Sequence, residues 1–108
     1  DERGEGKGAG STLNIPLPQG TGWVEYAPAL RTALNAIARW GATMLVVSFG
    51  ADTFAHDPIS HFRLERDDFA RLGASIAQLG LPTLVVMEGG YAVEELGANV
   101  AAFLAGFG

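Results

Sequence analysis

Three times along this chain a short apolar run gives way to helical periodicity. That alternation predicts an α/β protein: three βα units of a parallel sheet, with helices on both faces. Two of the runs, Thr43–Phe49 and Pro82–Met87, are apolar without alternation, as strands covered on both sides are. Each is followed by a glycine-containing turn, Gly50-Ala51-Asp52 and Glu88-Gly89-Gly90-Tyr91, where open parallel sheets gather their ligands.

Residues 1–12 read as a loop, because Gly4, Gly6, Gly8 and Gly10 alternate with small or charged residues. Leu13–Leu17 follows as a short strand, with Pro16 at its end or at a sheet edge, since proline donates nothing to a ladder. After the Pro18–Gly22 loop a helix is expected over Glu25–Arg39, with Ala27, Leu30, Leu34 and Ile37 as its stripe. Pro28 is tolerated if it lies in the first turn, and Gly41 stops the helix. Beyond the second strand, residues 50–64 are a long loop. A helix over Arg66–Leu79 then buries Phe69, Leu72, Ile76 and Leu79, with Asp67 and Asp68 at its positive end. The last helix, Val93–Leu104, is expected to bury Val93, Leu96, Val100, Phe103 and Phe107.

The 108 residues suit one small domain, and a hydrophobic share of 48% excludes a disordered tail. No apolar run approaches the ~20 residues of a membrane span, and no apolar opening segment reads as a signal peptide. The chain opens on Asp1, so the native start is expected elsewhere. With no cysteine it has no disulfide, thiolate metal site or cysteine nucleophile, which fits a cytoplasmic protein. A net charge of −5, with Lys7 the lone lysine, argues against nucleic-acid binding. The 15 glycines are about twice the usual share of ~7%.

Gly4-x-Gly6-x-x-Ala9 superficially matches a dinucleotide fingerprint, but it precedes a strand instead of following one. Asp52 stands just past a buried strand, where a carboxylate meets a cation, a metal or backbone donors, or caps its own loop. Tyr91 ends the next strand in the same way, and a hydroxyl there can donate to a developing oxyanion. The alternative for Tyr91 is a partly buried tyrosine with a satisfied hydroxyl. His56 and His61 flank Asp57-Pro58 in a loop and read as loop surface or loop packing. Glu25, Glu65, Asp67, Asp68, Glu94 and Glu95 read as solvated helix faces or helix N-termini.

Taken together, Gly50-Ala51-Asp52-x-x-x-x-Asp57-Pro58, Glu88-Gly89-Gly90-Tyr91 and the earlier Gly6-Lys7-Gly8 with Leu13-Asn14-Ile15-Pro16-Leu17-Pro18 resemble the histone deacetylase and acetylpolyamine amidohydrolase family. Asp57-Pro58-Ile59-Ser60-x-Phe62-x-Leu64 with Val85–Tyr91 looks most like the bacterial acetylpolyamine amidohydrolases. The resemblance implies a larger three-layer, arginase/deacetylase-like domain, of which residues 1–108 are the C-terminal part. It implies an eight-stranded parallel sheet in which strands from outside this chain separate Leu13–Leu17 from Thr43–Phe49. It implies a zinc-dependent deacetylase that hydrolyses the acetyl amide of acetylated polyamines or similar N-acetyl amines. Asp52 would be a Zn²⁺ ligand and Tyr91 the catalytic donor to the oxyanion. Gly89 and Gly90 would form the substrate-channel floor, and Ile59 would line its mouth. Asp57, with Pro58, would fix the loop. The family's Asp-x-His ligands and His-His base do not occur in this sequence, so the isolated chain is expected to be inactive. The alternatives are an acetyl-lysine, histone-type deacetylase and a catalytically inert truncated α/β module. A homo-oligomer is a further expectation, since the edges and faces of the apolar strands are built to be covered.

Overall fold

The computed structural model describes residues 2–108. In chain order it contains α1 (Trp23–Trp40), β1 (Leu45–Phe49), α2 (Arg66–Ala77), β2 (Thr83–Met87) and α3 (Val93–Ala105). Strands β1 and β2 pair in parallel from Leu45 opposite Thr83 to Phe49 opposite Met87. The α/β class and the parallel sheet are as the sequence predicts, and two of the three expected strands form.

The core lies on one face of this sheet. Phe49 projects from β1 onto α3, where its ring stacks on Phe103 at 4.0 Å and 11°, and it meets Phe69 of α2 edge-on at 5.8 Å. Phe69, Leu72 and Ile76 are buried, while Leu79 is only half-buried past the helix end. Each buried phenylalanine of this kind contributes about 1.5–3 kcal/mol of apolar burial. Helices α2 and α3 approach closely because Gly73 and Gly106 face each other. A side chain on Gly73 would strike the Phe103 carbonyl, and one on Gly106 would strike the Ala70 carbonyl. Helix α1 lies along the same core through Trp23, Tyr26, Leu30 and Leu34. Burial pushes the Tyr26 hydroxyl pKa above its ordinary value.

Four expectations change. Residues 13–17 form no strand: no other described segment pairs with them, Leu13 and Pro16 are exposed, and a strand exists only as part of a ladder. The strands are covered on one face only. Val46, Leu84 and Val86, at 58%, 52% and 40% exposure, point away from the helices, and no described element lies over them. Helix α1 starts at Trp23, because the Gly22 amide donates to the Glu25 carboxylate at 3.1 Å and caps the helix earlier. Pro28 therefore sits in the second turn, where it leaves the Val24 carbonyl without its helical donor. Val93 is 84% exposed, since as the first residue of α3 it stands at the open rim with nothing packed over it.

The Asp68 expectation holds and gains detail. Its carboxylate accepts from the Glu65 amide at 2.9 Å, closing the start of α2, and pairs with Arg71 at 2.7 Å.

Candidate active site

The two rim loops leave the sheet side by side because the parallel ladder continues past both strands. The Glu88 amide donates to the Phe49 carbonyl at 2.8 Å, and the Ala51 amide donates to the Gly89 carbonyl at 2.9 Å. Asp52 and Tyr91 therefore lie on one rim of adjacent strands, as the matching strand-then-turn pattern predicts.

Asp52 follows β1 in a single 3-10 turn, Ala51–Thr53. Its carboxylate lies flat against Gly89, with Oδ2 occupying the space a side chain on Gly89 would need. Gly50 is constrained from the other side, where a methyl group would come within 2.6 Å of Asp52 Oδ1. Both glycines are thus required by the carboxylate between them. Gly90 has another reason to be glycine. Its φ of 145° is closed to most L-residues, and a methyl there would meet Leu96 Cδ1 at 2.7 Å.

The loop that carries Asp52 is ordered by its own small core. The Ala55 amide donates to the Leu64 carbonyl at 2.8 Å and the Leu64 amide to the Thr53 carbonyl at 3.2 Å, closing residues 53–64 on themselves. Phe54 and Leu64 are buried inside the closure. The Pro18–Gly22 segment runs along its outer side. There the Gly20 amide donates to the His61 carbonyl at 2.6 Å and the Arg63 amide to the Thr21 carbonyl at 2.8 Å. The two histidines belong to this packing. His56 meets Phe54 edge-on, and His61 bonds Gln19 through its ring nitrogen.

Asp57 is the buried charge of the site, at 6% exposure. Oδ1 accepts from the Ile59 amide at 3.0 Å, and Oδ2 accepts from the Tyr91 amide at 2.6 Å. The carboxylate ties the two rim loops together and brings Ile59 and Tyr91 onto the same anchor. Ile59 and Tyr91 are 60% and 51% exposed, so both border open space at the rim.

Sequence reasoning missed Asn99, buried at 1% within the apolar stripe of α3. Its Oδ1 accepts from Arg66 Nε at 3.3 Å, which joins the start of α2 to α3. The available signal was a polar residue interrupting the Leu96, Val100, Phe103 spacing.

Metal binding needs more than the described residues supply. Among the described residues no three His, Cys, Asp or Glu side chains gather to hold an ion. Asp52 alone has fitting chemistry: a carboxylate at the rim on which no hydrogen bond of the surrounding loops ends. A catalytic zinc takes three protein ligands and a water. Asp52 would be one of the three, and the others would have to come from outside the described residues.

Comparison with known proteins points one way. A family model described as "Histone deacetylase domain" matches residues 1–107. Acetylpolyamine amidohydrolase 2 of Pseudomonas aeruginosa is 50% identical over 107 residues, which are 99% of this chain and 31% of that protein. Acetylpolyamine amidohydrolase of Mycoplana ramosa is 50% identical over 106 residues, 98% of this chain and 31% of that protein. The crystal structure of an acetylpolyamine aminohydrolase from Burkholderia pseudomallei superposes with a TM-score of 0.95 at 40% identity, covering 98% of this chain and 31% of that one. The chain thus spans under a third of these relatives, with its fold and both rim motifs inside the matched part. It belongs to the histone deacetylase family.

Proposed function

We propose that this chain is the C-terminal part of a zinc-dependent deacetylase that hydrolyses the acetyl amide of acetylated polyamines or similar N-acetyl amines. The observation that carries the reading is the juxtaposition of Asp52 and Tyr91 on one rim of parallel strands, each in its family motif. The relatives named as acetylpolyamine amidohydrolases support the substrate class.

Asp52 presents one carboxylate ligand, held at the rim between Gly50 and Gly89. The chemistry supplied by zinc, when bound, is Lewis acidity toward the amide carbonyl and activation of water. Tyr91 donates its hydroxyl to the oxyanion that develops on the acetyl carbon's oxygen, an interaction stronger in the transition state than in the ground state. Ile59 lines the mouth, where an apolar side chain suits a thin alkyl-amine chain. Gly89 and Gly90 keep the floor free of side chains.

The test is metal content and turnover together in the full-length enzyme. Wild type is expected to hold one zinc per active site and release acetate from an acetylpolyamine. Asp52→Ala is expected to lose the zinc and the turnover in parallel. Full zinc occupancy in Asp52→Ala would remove Asp52 from the ligand set.

A further inference from the structure

We propose that Asp57 is a positioning residue for Tyr91. In this role its buried carboxylate spans the two rim loops and fixes the backbone from which the Tyr91 hydroxyl reaches the substrate. The proposal rests on the reading of Tyr91 as the oxyanion donor.

An aspartate that only shapes its own loop needs one bond, to the amide two residues on. Asp57 makes that bond to Ile59 with Oδ1, and uses Oδ2 on the amide of Tyr91, 34 residues away. The long-range bond is the shorter one, 2.6 Å against 3.0 Å, as suits a carboxylate accepting from a fixed N–H. Two donors converge on two acceptor oxygens, and only a carboxylate meets both. An asparagine would turn an NH₂ toward one of the amides.

The rest of the Tyr91 environment makes this anchor matter. Tyr91 is 51% exposed, so packing within the chain does little to orient it. The residue before it, Gly90, is in a conformation open to glycine, φ 145°, which by itself leaves the peptide free to swing. The Asp57 side of the bond is rigid, because its own amide donates to the Phe54 carbonyl at 3.1 Å and its carbonyl accepts from Ser60 at 3.2 Å. Tyr91 thus takes its position from the Asp52 loop, which places the oxyanion donor and the candidate metal ligand in one frame.

The experiment is a double-mutant cycle in the full-length enzyme with an acetylpolyamine substrate. Asp57→Asn preserves shape and removes one acceptor. It is expected to lower kcat about 10- to 10²-fold, the scale of an ångström-level misplacement, with KM within about threefold and zinc content unchanged. Amide hydrogen exchange over residues 88–92 is expected to quicken. In a Tyr91→Phe background, Asp57→Asn is expected to cost no more than about twofold further, because the hydroxyl it positions is gone. Losses that simply add, a loss of zinc in proportion to activity, or unchanged exchange at 88–92 would each overturn the proposal. If the asparagine variant does not fold, Asp57→Glu, which keeps both acceptors on a longer arm, is read by the same criteria. Full turnover in Tyr91→Phe alone would remove the reading of Tyr91 and this proposal with it. A slow Tyr91→Phe with additive Asp57→Asn would remove the proposal alone.

Discussion

Gly89 shows how tightly single atoms are placed at this rim. Its φ lies outside the left-handed region, so an alanine there is strained only by what the new methyl meets, which is the Asp52 carboxylate. The carboxylate would have to turn away from its place. Gly89→Ala in the full-length enzyme is therefore expected to weaken zinc about 10- to 10²-fold, the range seen when a ligand's supporting contacts are lost. Zinc titration by calorimetry checks this, and wild-type affinity would show that Asp52 has room to spare. The shared rim placement of Asp52, Gly89, Gly90 and Tyr91 was legible because each motif directly follows a strand of the same parallel pair. The span of Asp57 from Ile59 to Tyr91 was not, because a bond between residues 57 and 91 leaves no local pattern. Asn99 did leave a local mark, a polar residue inside the apolar stripe of α3, but its partner, Arg66, is on another helix and leaves none.

Helices α2 and α3 meet at a pair of glycines, and the opposing energies there can be weighed. Gly73→Ala gains about 1 kcal/mol of helix propensity. The added methyl would overlap the Phe103 carbonyl, a backbone atom held in α3, and overpacking of that kind costs about 1–3 kcal/mol. The clash is against backbone, so the upper part of that range applies and the net effect is destabilising by about 1–2 kcal/mol. Thermal unfolding of the full-length protein is expected to show a lower Tm, and an unchanged or raised Tm would mean that the helices separate easily. The elements themselves were largely readable from periodicity, with β1, β2, α2 and α3 close to their expected bounds. The failures have physical causes. Leu13–Leu17 has strand composition without a partner, and composition does not supply hydrogen bonds. The start of α1 depends on the Gly22–Glu25 cap, which the position of Pro28 concealed. Val93 has the right spacing for the core but lies where α3 begins, beyond its packing partners.

The assembled fold has an open side. Met44, Val46, Leu84 and Val86 are each at least 40% exposed, and β1 and β2 have no further strand beside them among the described residues. Apolar faces and strand edges of this kind associate. The 108-residue chain made alone is expected to self-associate in sedimentation and to bind zinc no tighter than a lone surface carboxylate would. A monodisperse monomer with stoichiometric, submicromolar zinc and acetylpolyamine turnover would instead identify it as a minimal enzyme. The sequence had already indicated strands built to be covered, and the structure locates the uncovered side opposite Phe49, Phe69 and Phe103. The two motif loops share a rim because the ladder between β1 and β2 is complete within the chain and continues past both strands.

The claim that this rim is half of a deacetylase centre stands most directly on Tyr91. Replacing its hydroxyl by hydrogen leaves the ring, the backbone anchor and Asp52 unchanged. The measurement is acetylpolyamine hydrolysis by zinc-loaded, full-length Tyr91→Phe against wild type. The expected result is a kcat lower by about 10²–10³-fold, the cost of one oxyanion donor, with zinc content intact. Undiminished turnover at full zinc occupancy would contradict it.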